Sequence, residues 1–320
     1  MNRRSLLLGA GAAGLLAALP AVAAGDGSVL RGRAFGTRWR VVLARPAPDG
    51  LGREIDAILA AVDASMSPFR ADSEITRFNR SRETGGQAAS APFAAVTAAA
   101  LAAAHETGGA FDPTVGPAVH RFGFGPIRGT RIAAFGEIGS EEGSVSKHDA
   151  ALSLDLCAIA KGYAVDRVSA HLAALGQEDF LVEIGGDLRV SGRAPADRPW
   201  QVGIEDPAQG SVRRVVALRD EALATSGDAV NGYTLRFRRY GHVIDPATGE
   251  PVQNAVASVS VIAPVAARAD ALATALLVMG TGRGLRFAAE RGIPAFFLLR
   301  GPDGRLTERV NPLFHTRLAS

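Results

Sequence analysis

Asp270 and Thr274 stand four residues apart in a stretch, Ala269 to Met279, whose apolar spacing predicts a helix. Side chains at i and i+4 share a helix face, so the pair offers a carboxylate and a hydroxyl one turn apart. Both are hard oxygen donors. A site with so few protein ligands suits Mg²⁺, which keeps waters and draws further oxygens from substrate phosphates. The same two residues near a helix start can also do no more than cap it. A second concentration of chemistry lies between Leu154 and Asp166. Ala151 to Leu156 alternates apolar and polar residues and predicts a short strand, after which small residues, Lys161 and Gly162 open an amphipathic helix to about Leu175. Asp155 at the strand end and Lys161 at the helix start suit a phosphate-bearing ligand, because helix N-terminal N–H groups favour anions and small residues let a backbone come close. Packing alone produces such joints too.

Several further runs accompany that one: Ala34-Phe35-Gly36-Thr37, Met66 to Arg70 with Asp72 to Ile75 and Arg77 to Asn79, and Gly109 to Pro117. Downstream follow Val182 to Asp187, Thr225 to Asp228, His242 to Val252 and Ala269 to Ala275. In this order, over about residues 30 to 300, the chain resembles the ApbE family, the FAD:protein FMN transferases. The resemblance implies an α+β fold of mixed and antiparallel sheets with packed helices, T-fold-like. It implies an enzyme that cleaves the FAD pyrophosphate, moves FMN to a threonine or serine hydroxyl of an acceptor flavoprotein and releases AMP. It assigns Mg²⁺ to Asp270, Thr274 and the backbone carbonyl of Ala158, for which a small side chain suffices. Around FAD it places Phe35, Phe69, Ala110, Phe111, Asp112, Asp155, Lys161 and Ile244.

Each of these has a physical role to offer. Phe69 and Phe111 supply flat apolar faces for the ring systems. Asp112 and Asp155 can accept from ribose hydroxyls or ring N–H groups, and Lys161 can counter phosphate charge. Phe35 and Phe111 can equally be plain core, and Asp112 before Pro113 a turn former. Phe35 stands where the family often has methionine and Phe69 where it often has tyrosine, so one hydroxyl is missing from the pattern. His242 is the histidine that falls inside a matched run; a neutral imidazole can take a hydroxyl proton near pH 7, or hydrogen-bond to the Asp245-Pro246 turn. His105, His120, His148, His171 and His315 show no metal-ligand spacing. A FAD pyrophosphatase giving FMN and AMP, or a non-catalytic flavin-binding protein, would share much of this pattern; retention of Asp270, Thr274 and Lys161 speaks against the second.

The elements that must carry these groups are legible in outline. Val29 to Leu43 predicts paired strands turning at Gly36, and Arg53 to Ser65 an amphipathic helix. Met66 to Asn79 reads as a loop into a short helix capped by Asp72 or Ser73. Phe93 to Thr107 predicts an alanine-rich helix stopped by Gly108-Gly109, and Gly123 to Lys147 surface loops. Residues 180 to 263 alternate β-like runs with turns, among them Trp200 to Glu205, Val215 to Leu218 and Tyr233 to Phe237. Ala295 to Leu299 predicts a strand followed by a hairpin turn at Asp303-Gly304. Strands and helices do not alternate strictly, which favours α+β over a doubly wound sheet. Residues 24–320 form one catalytic unit, with a division into two packed lobes left open.

The first 23 residues carry Arg3-Arg4, an apolar stretch from Leu6 to Leu19 and Ala21-Val22-Ala23, the pattern of a signal peptide cut after Ala23. The paired arginines suit the twin-arginine route and a periplasmic destination, although an ordinary secretory signal can carry two arginines. The apolar stretch is too short for a membrane span, and no cysteine lies near the cleavage site, so this chain departs from the family's lipoproteins. Loss of Arg3 and Arg4 lowers the formal net charge from +3 to +1. No basic stripe with interleaved aromatics is present, which argues against nucleic-acid binding. Cys157 is the single cysteine, so no internal disulfide forms.

Overall fold

The computed structural model describes residues 27–195, 197–228, 232–235 and 238–319; the expected signal segment lies outside them. Its spine is an eight-stranded sheet in which the strands lie side by side in chain order and pair antiparallel throughout. The strands are β1 (Ser28–Ala34), β2 (Thr37–Leu43), β3 (Phe180–Ile184), β4 (Asp187–Ser191), β5 (Ala222–Gly227), β6 (Val256–Ala263), β7 (Ala295–Arg300) and β8 (Leu306–Val310). β1 and β2 form the expected hairpin, with φ of 54° at Phe35 and 72° at Gly36 in the turn. Two successive positive φ values match the strand twist. Glycine takes them freely, whereas Phe35 is held there against its preference.

Excursions from this meander carry everything else. Between β2 and β3 come α1 (Leu51–Met66), α2 (Glu74–Arg80), α3 (Ala91–Glu106), α4 (Gly116–Arg121) and α5 (Cys157–Ala174). Between β4 and β5 lies a hairpin of Trp200–Glu205 and Val212–Leu218, and between β5 and β6 two small hairpins within residues 232–251. α6 (Ala266–Glu290) joins β6 to β7. α1, α3, α5 and the start of α6 pack over one face of the sheet, and the Trp200 hairpin with Phe314 covers the other. β6 is therefore buried along its whole length: Val259 and Val261 meet Leu272 and Leu276 of α6, while Ala257 clusters with Trp200 and Val202.

The predicted α+β class and most element positions hold, and the start-and-stop chemistry acts as read. Ser73, not Asp72, caps α2, accepting from the Thr76 N–H at 3.2 Å. α3 stops at Gly108 and Gly109, with φ of 60° and 79°. α6 is longer than predicted and breaks at Gly280, where φ is 70°. Of the Tyr233 to Phe237 run, Gly232–Leu235 is a strand paired with Arg238–Gly241, and Phe237 lies outside the described residues.

Two expectations are corrected. Ala151 to Leu156 is not a strand: Ala151 closes a turn and the following residues have no regular structure. Its alternation reflects burial of Leu152, Leu154 and Leu156, and its backbone is satisfied without a ladder. The Asn79 amide donates to the Leu154 carbonyl at 2.8 Å and accepts from the Leu154 N–H at 2.7 Å, while Asp155 N–H donates to the Pro113 carbonyl at 2.7 Å. The second is Gly123 to Lys147, which is not all loop. Ile138–Glu141 and Ser144–Lys147 pair with each other and with Gly85–Ala88. Lys147 is fully buried, and its ammonium donates to the carbonyls of Phe78, Ser81, Ala150 and Leu152 at 2.8 to 3.3 Å. Burial holds its pKa below the usual lysine value. This one side chain ties the end of α2 to the segment that runs into α5. Among the described residues no helix is long and apolar enough to cross a membrane.

Candidate active site

The site is built where α5 crosses α6. A Cβ on Gly162 would sit 2.6 Å from the Ala266 carbonyl carbon, so only glycine lets the two backbones approach this closely. α6 has no cap from its own Val265; instead both oxygens of Asp166, on α5, accept from the N–H groups of Ala266 and Ala267 at 2.9 Å each. A carboxylate there answers the free N–H groups and the positive end of the helix dipole. The crossing brings the Asp270 carboxylate onto the Gly162 N–H at 3.1 Å. In an unbroken helix that N–H is committed to the carbonyl of residue 158. Ala158 is also the one residue of α5 with non-helical geometry, φ −90° and ψ 17°. Its carbonyl is thereby available to a ligand.

Charge gathers at the same point. Lys161 is hydrogen-bonded to Asp187, at the start of β4. Burial opposes the lysine's charge, but Asp187 and Asp270 outweigh it and hold its pKa above the ordinary value. Burial, then the Asp270 charge, push the Asp187 carboxyl upward against the pull of Lys161. Asp187 Oδ1 is buried with no hydrogen-bond partner. Thr274, one turn beyond Asp270, shares a hydrogen bond of 2.9 Å with the Ser226 hydroxyl of β5. Two carboxylates against one ammonium, an orphaned carboxylate oxygen, a hydroxyl and an available carbonyl make an all-oxygen donor set of the kind hard divalent cations take. Among the described residues no group of three or more His, Cys, Asp and Glu could hold a metal, so an oxygen site completed by water and substrate is the form that fits.

A cavity of about 290 Å³ opens on this cluster. Ala110, Phe111, Asp112, Asp155, Ala158, Lys161, His242, Ile244, Asp270 and Thr274 all line it, although they come from segments scattered over more than half the chain. Phe111 and Ile244 are buried, so they are core on one side and wall on the other. Asp112 serves the turn as well: its Oδ1 accepts from Thr114 N–H at 2.7 Å and from the Thr114 hydroxyl at 2.6 Å. Burial raises the Asp112 pKa and those bonds oppose it. Asp155 accepts from the Cys157 N–H at 3.0 Å. The ring of His242 meets Phe124 edge-on, 6.4 Å between centroids. Phe124 in turn stacks on Tyr233 and Tyr233 on Tyr240.

Phe35 and Phe69 stand outside that lining. Phe35 sits at the β1–β2 turn, packed on the core, and Phe69 is 69% exposed in the loop after α1. Asp187 and Ser226, bonded to Lys161 and Thr274, join the cluster without having been singled out from the sequence. Both lie inside matched runs, Val182 to Asp187 and Thr225 to Asp228, Asp187 directly after Gly185-Gly186 and Ser226 within β5.

The ApbE family model matches residues 35–297. The chain is 38% identical over 269 residues to the FAD:protein FMN transferase of Vibrio cholerae, covering 79% of this chain and 80% of the relative. It is 36% identical over 276 residues to that of Haemophilus influenzae, covering 80% of each. Among solved structures it is similar to the flavin transferase ApbE from Vibrio cholerae, with TM-score 0.81 and 35% identity over 92% of this chain and 99% of that one. The apo flavinyl transferase ApbE of Pseudomonas stutzeri gives TM-score 0.83 and 34% identity over 92% and 97%.

The crossing makes a test of its own. Gly162→Ala should destabilise the fold by about 1–3 kcal/mol, the usual cost of overpacking, because the clash is with backbone. Thermal unfolding reads it; an unchanged midpoint would show that the two helices have room to part.

Proposed function

The chain belongs to the ApbE family, and from that premise we propose that it transfers FMN from FAD to a threonine or serine hydroxyl of an acceptor protein, releasing AMP. The observation that carries this reading is the meeting of Lys161, Ala158, Asp270 and Thr274 in the lining of one cavity, with the buried Asp187 bonded to Lys161 behind it. Such a lining suits a pyrophosphate with its metal, and little else in the described residues does. Mg²⁺ is the cation we assign to Asp270, Thr274 and the Ala158 carbonyl; it would supply charge compensation along the pyrophosphate. Lys161, kept protonated by Asp187 and Asp270, adds a fixed positive charge beside the phosphates. Phe111 and Ile244 give the apolar wall, Asp112 and Asp155 the acceptors, and the exposed ring of Phe69 with Phe35 the outer contacts of the flavin nucleotide.

The acceptor oxygen attacks the FMN phosphorus, and His242 takes its proton. The bond from that phosphorus to the bridging oxygen breaks, and AMP leaves with the bridging oxygen. Little covalent work falls to the protein, so alignment and charge compensation supply most of the rate. Residues 1–23 we read as an export signal of the twin-arginine type, which places the enzyme and a respiratory or electron-transfer acceptor in the periplasm.

Mass spectrometry of a candidate acceptor incubated with the protein, FAD and Mg²⁺ should show an added FMN mass. Asp270→Ala should abolish it, since the charged ligand assigned to the metal is gone; wild-type turnover by that variant overturns the metal assignment. Free FMN and AMP with no acceptor adduct would instead mark a FAD pyrophosphatase. His242→Ala should bind FAD as before but transfer FMN about 10²–10⁴-fold more slowly, the range of general-base catalysis, with partial recovery at higher pH. Joint loss of binding and transfer would make His242 a wall of the pocket. Replacing Arg3-Arg4 by two lysines should leave the precursor in the cytoplasm, as cell fractionation would report; normal delivery favours the general secretory route.

A further inference from the structure

A second and larger cavity, about 620 Å³, adjoins the first. Its walls come from the end of β5, the start of β6, the middle of α6 and the β7–β8 turn. Among the described residues Gly227, His242 and Val243 alone line both cavities, so His242 stands in the partition between them. We propose that this second cavity seats the segment of the acceptor protein that carries the hydroxyl. The inference rests on the transferase reading above.

Displacement at phosphorus needs the attacking and leaving oxygens roughly in line, on opposite sides of the reacting atom. Lys161, Asp155, Phe111, Asp112 and Ile244 line the first cavity and not the second. The incoming hydroxyl must therefore arrive from the other side, and a residue that takes its proton must face both spaces. The second cavity meets that requirement and is poorly made for a phosphate. Among the described residues Arg300 is the one arginine or lysine of its lining, and it is paired with Asp228 at 3.1 Å.

Its surfaces suit a polypeptide instead. Leu277 and Val256 provide a buried apolar floor, and Gly227, Gly241 and Gly301 put backbone rather than side chains on the walls. The wall is also fixed in advance. The Asn254 amide donates to the Leu277 carbonyl at 2.8 Å and accepts from Val256 N–H at 2.9 Å, pinning the entrance to β6 against α6. The break at Gly280 brings α6 against the same asparagine. Pre-formed walls lower the ordering cost of binding a chain segment.

Ala255 is exposed at the mouth, and neither it nor Pro302, exposed on the facing turn, belongs to the donor site. In Ala255→Trp, FAD affinity and the slow release of AMP to water should match wild type, and FMN transfer to glycerol as a small alcohol should be equally unaffected. Transfer to the acceptor protein should fall at least tenfold, chiefly through KM. Pro302→Trp fills the space from the opposite wall and should behave alike, which keeps the test alive if one variant folds poorly. Acceptor kinetics within twofold of wild type in a folded variant would overturn the proposal. So would weakened FAD binding, which would make the cavity part of the donor site. Failure of wild type itself to label any acceptor would strike the transferase reading instead.

Discussion

The contact between Gly162 and the first turn of α6 is the constraint on which the site depends. Two helices approach closely enough to trade backbone and side-chain hydrogen bonds only if one of them lacks a side chain at the crossing. Once they do, Asp166 can cap α6 from α5, and Asp270 can reach the Gly162 N–H. Everything placed by α5 (the Ala158 carbonyl, Lys161) and by α6 (Asp270, Thr274) then shares one origin. The sheet contributes Asp187 and Ser226 to the same point from below. The cap in trans also couples the helices in folding: the first turn of α6 is satisfied only when α5 has docked.

The grouping of Asp187, Asp270 and Lys161 is a poor device for stability. Burying three charges costs more solvation than one good ion pair returns, and an orphaned carboxylate oxygen adds to the cost. Its excess negative charge makes sense beside a cation, and its lysine beside a polyanion. The strained turn at Phe35 belongs to the same class of cost, since a bulky residue in left-handed geometry persists only where surrounding structure over-determines it.

What could be read from the sequence was whatever sits close along the chain. Asp270 and Thr274 were legible because four residues is one helical turn, and the end of α3 because paired glycines stop helices by backbone geometry alone. Ala158 was not legible as chemistry; a carbonyl ligand leaves no trace in a side chain, and only the family resemblance named it. The partner of Lys161 escaped because it lies on a strand 26 residues later. The irregular segment before α5 imitated a strand because alternation reports burial, while the hydrogen bonds that decide between strand and loop come from Asn79, far upstream. Lys147 was misread for a related reason: a charged residue predicts solvent until four carbonyls happen to converge on it.

The strand order of the sheet follows the chain order, so each excursion returns the chain to the next place in the sheet. The α5 side of the donor cavity comes from the excursion between β2 and β3, and His242 with one wall of the second cavity from that between β5 and β6. These two insertions attach at different strands and share no ladder. A lineage can therefore vary the second excursion in length or charge around His242, Ile244 and Asn254 without shifting the register that aligns Asp187, Ser226 and α6. The architecture thus leaves the helix crossing undisturbed while loop surface around it is free to diversify.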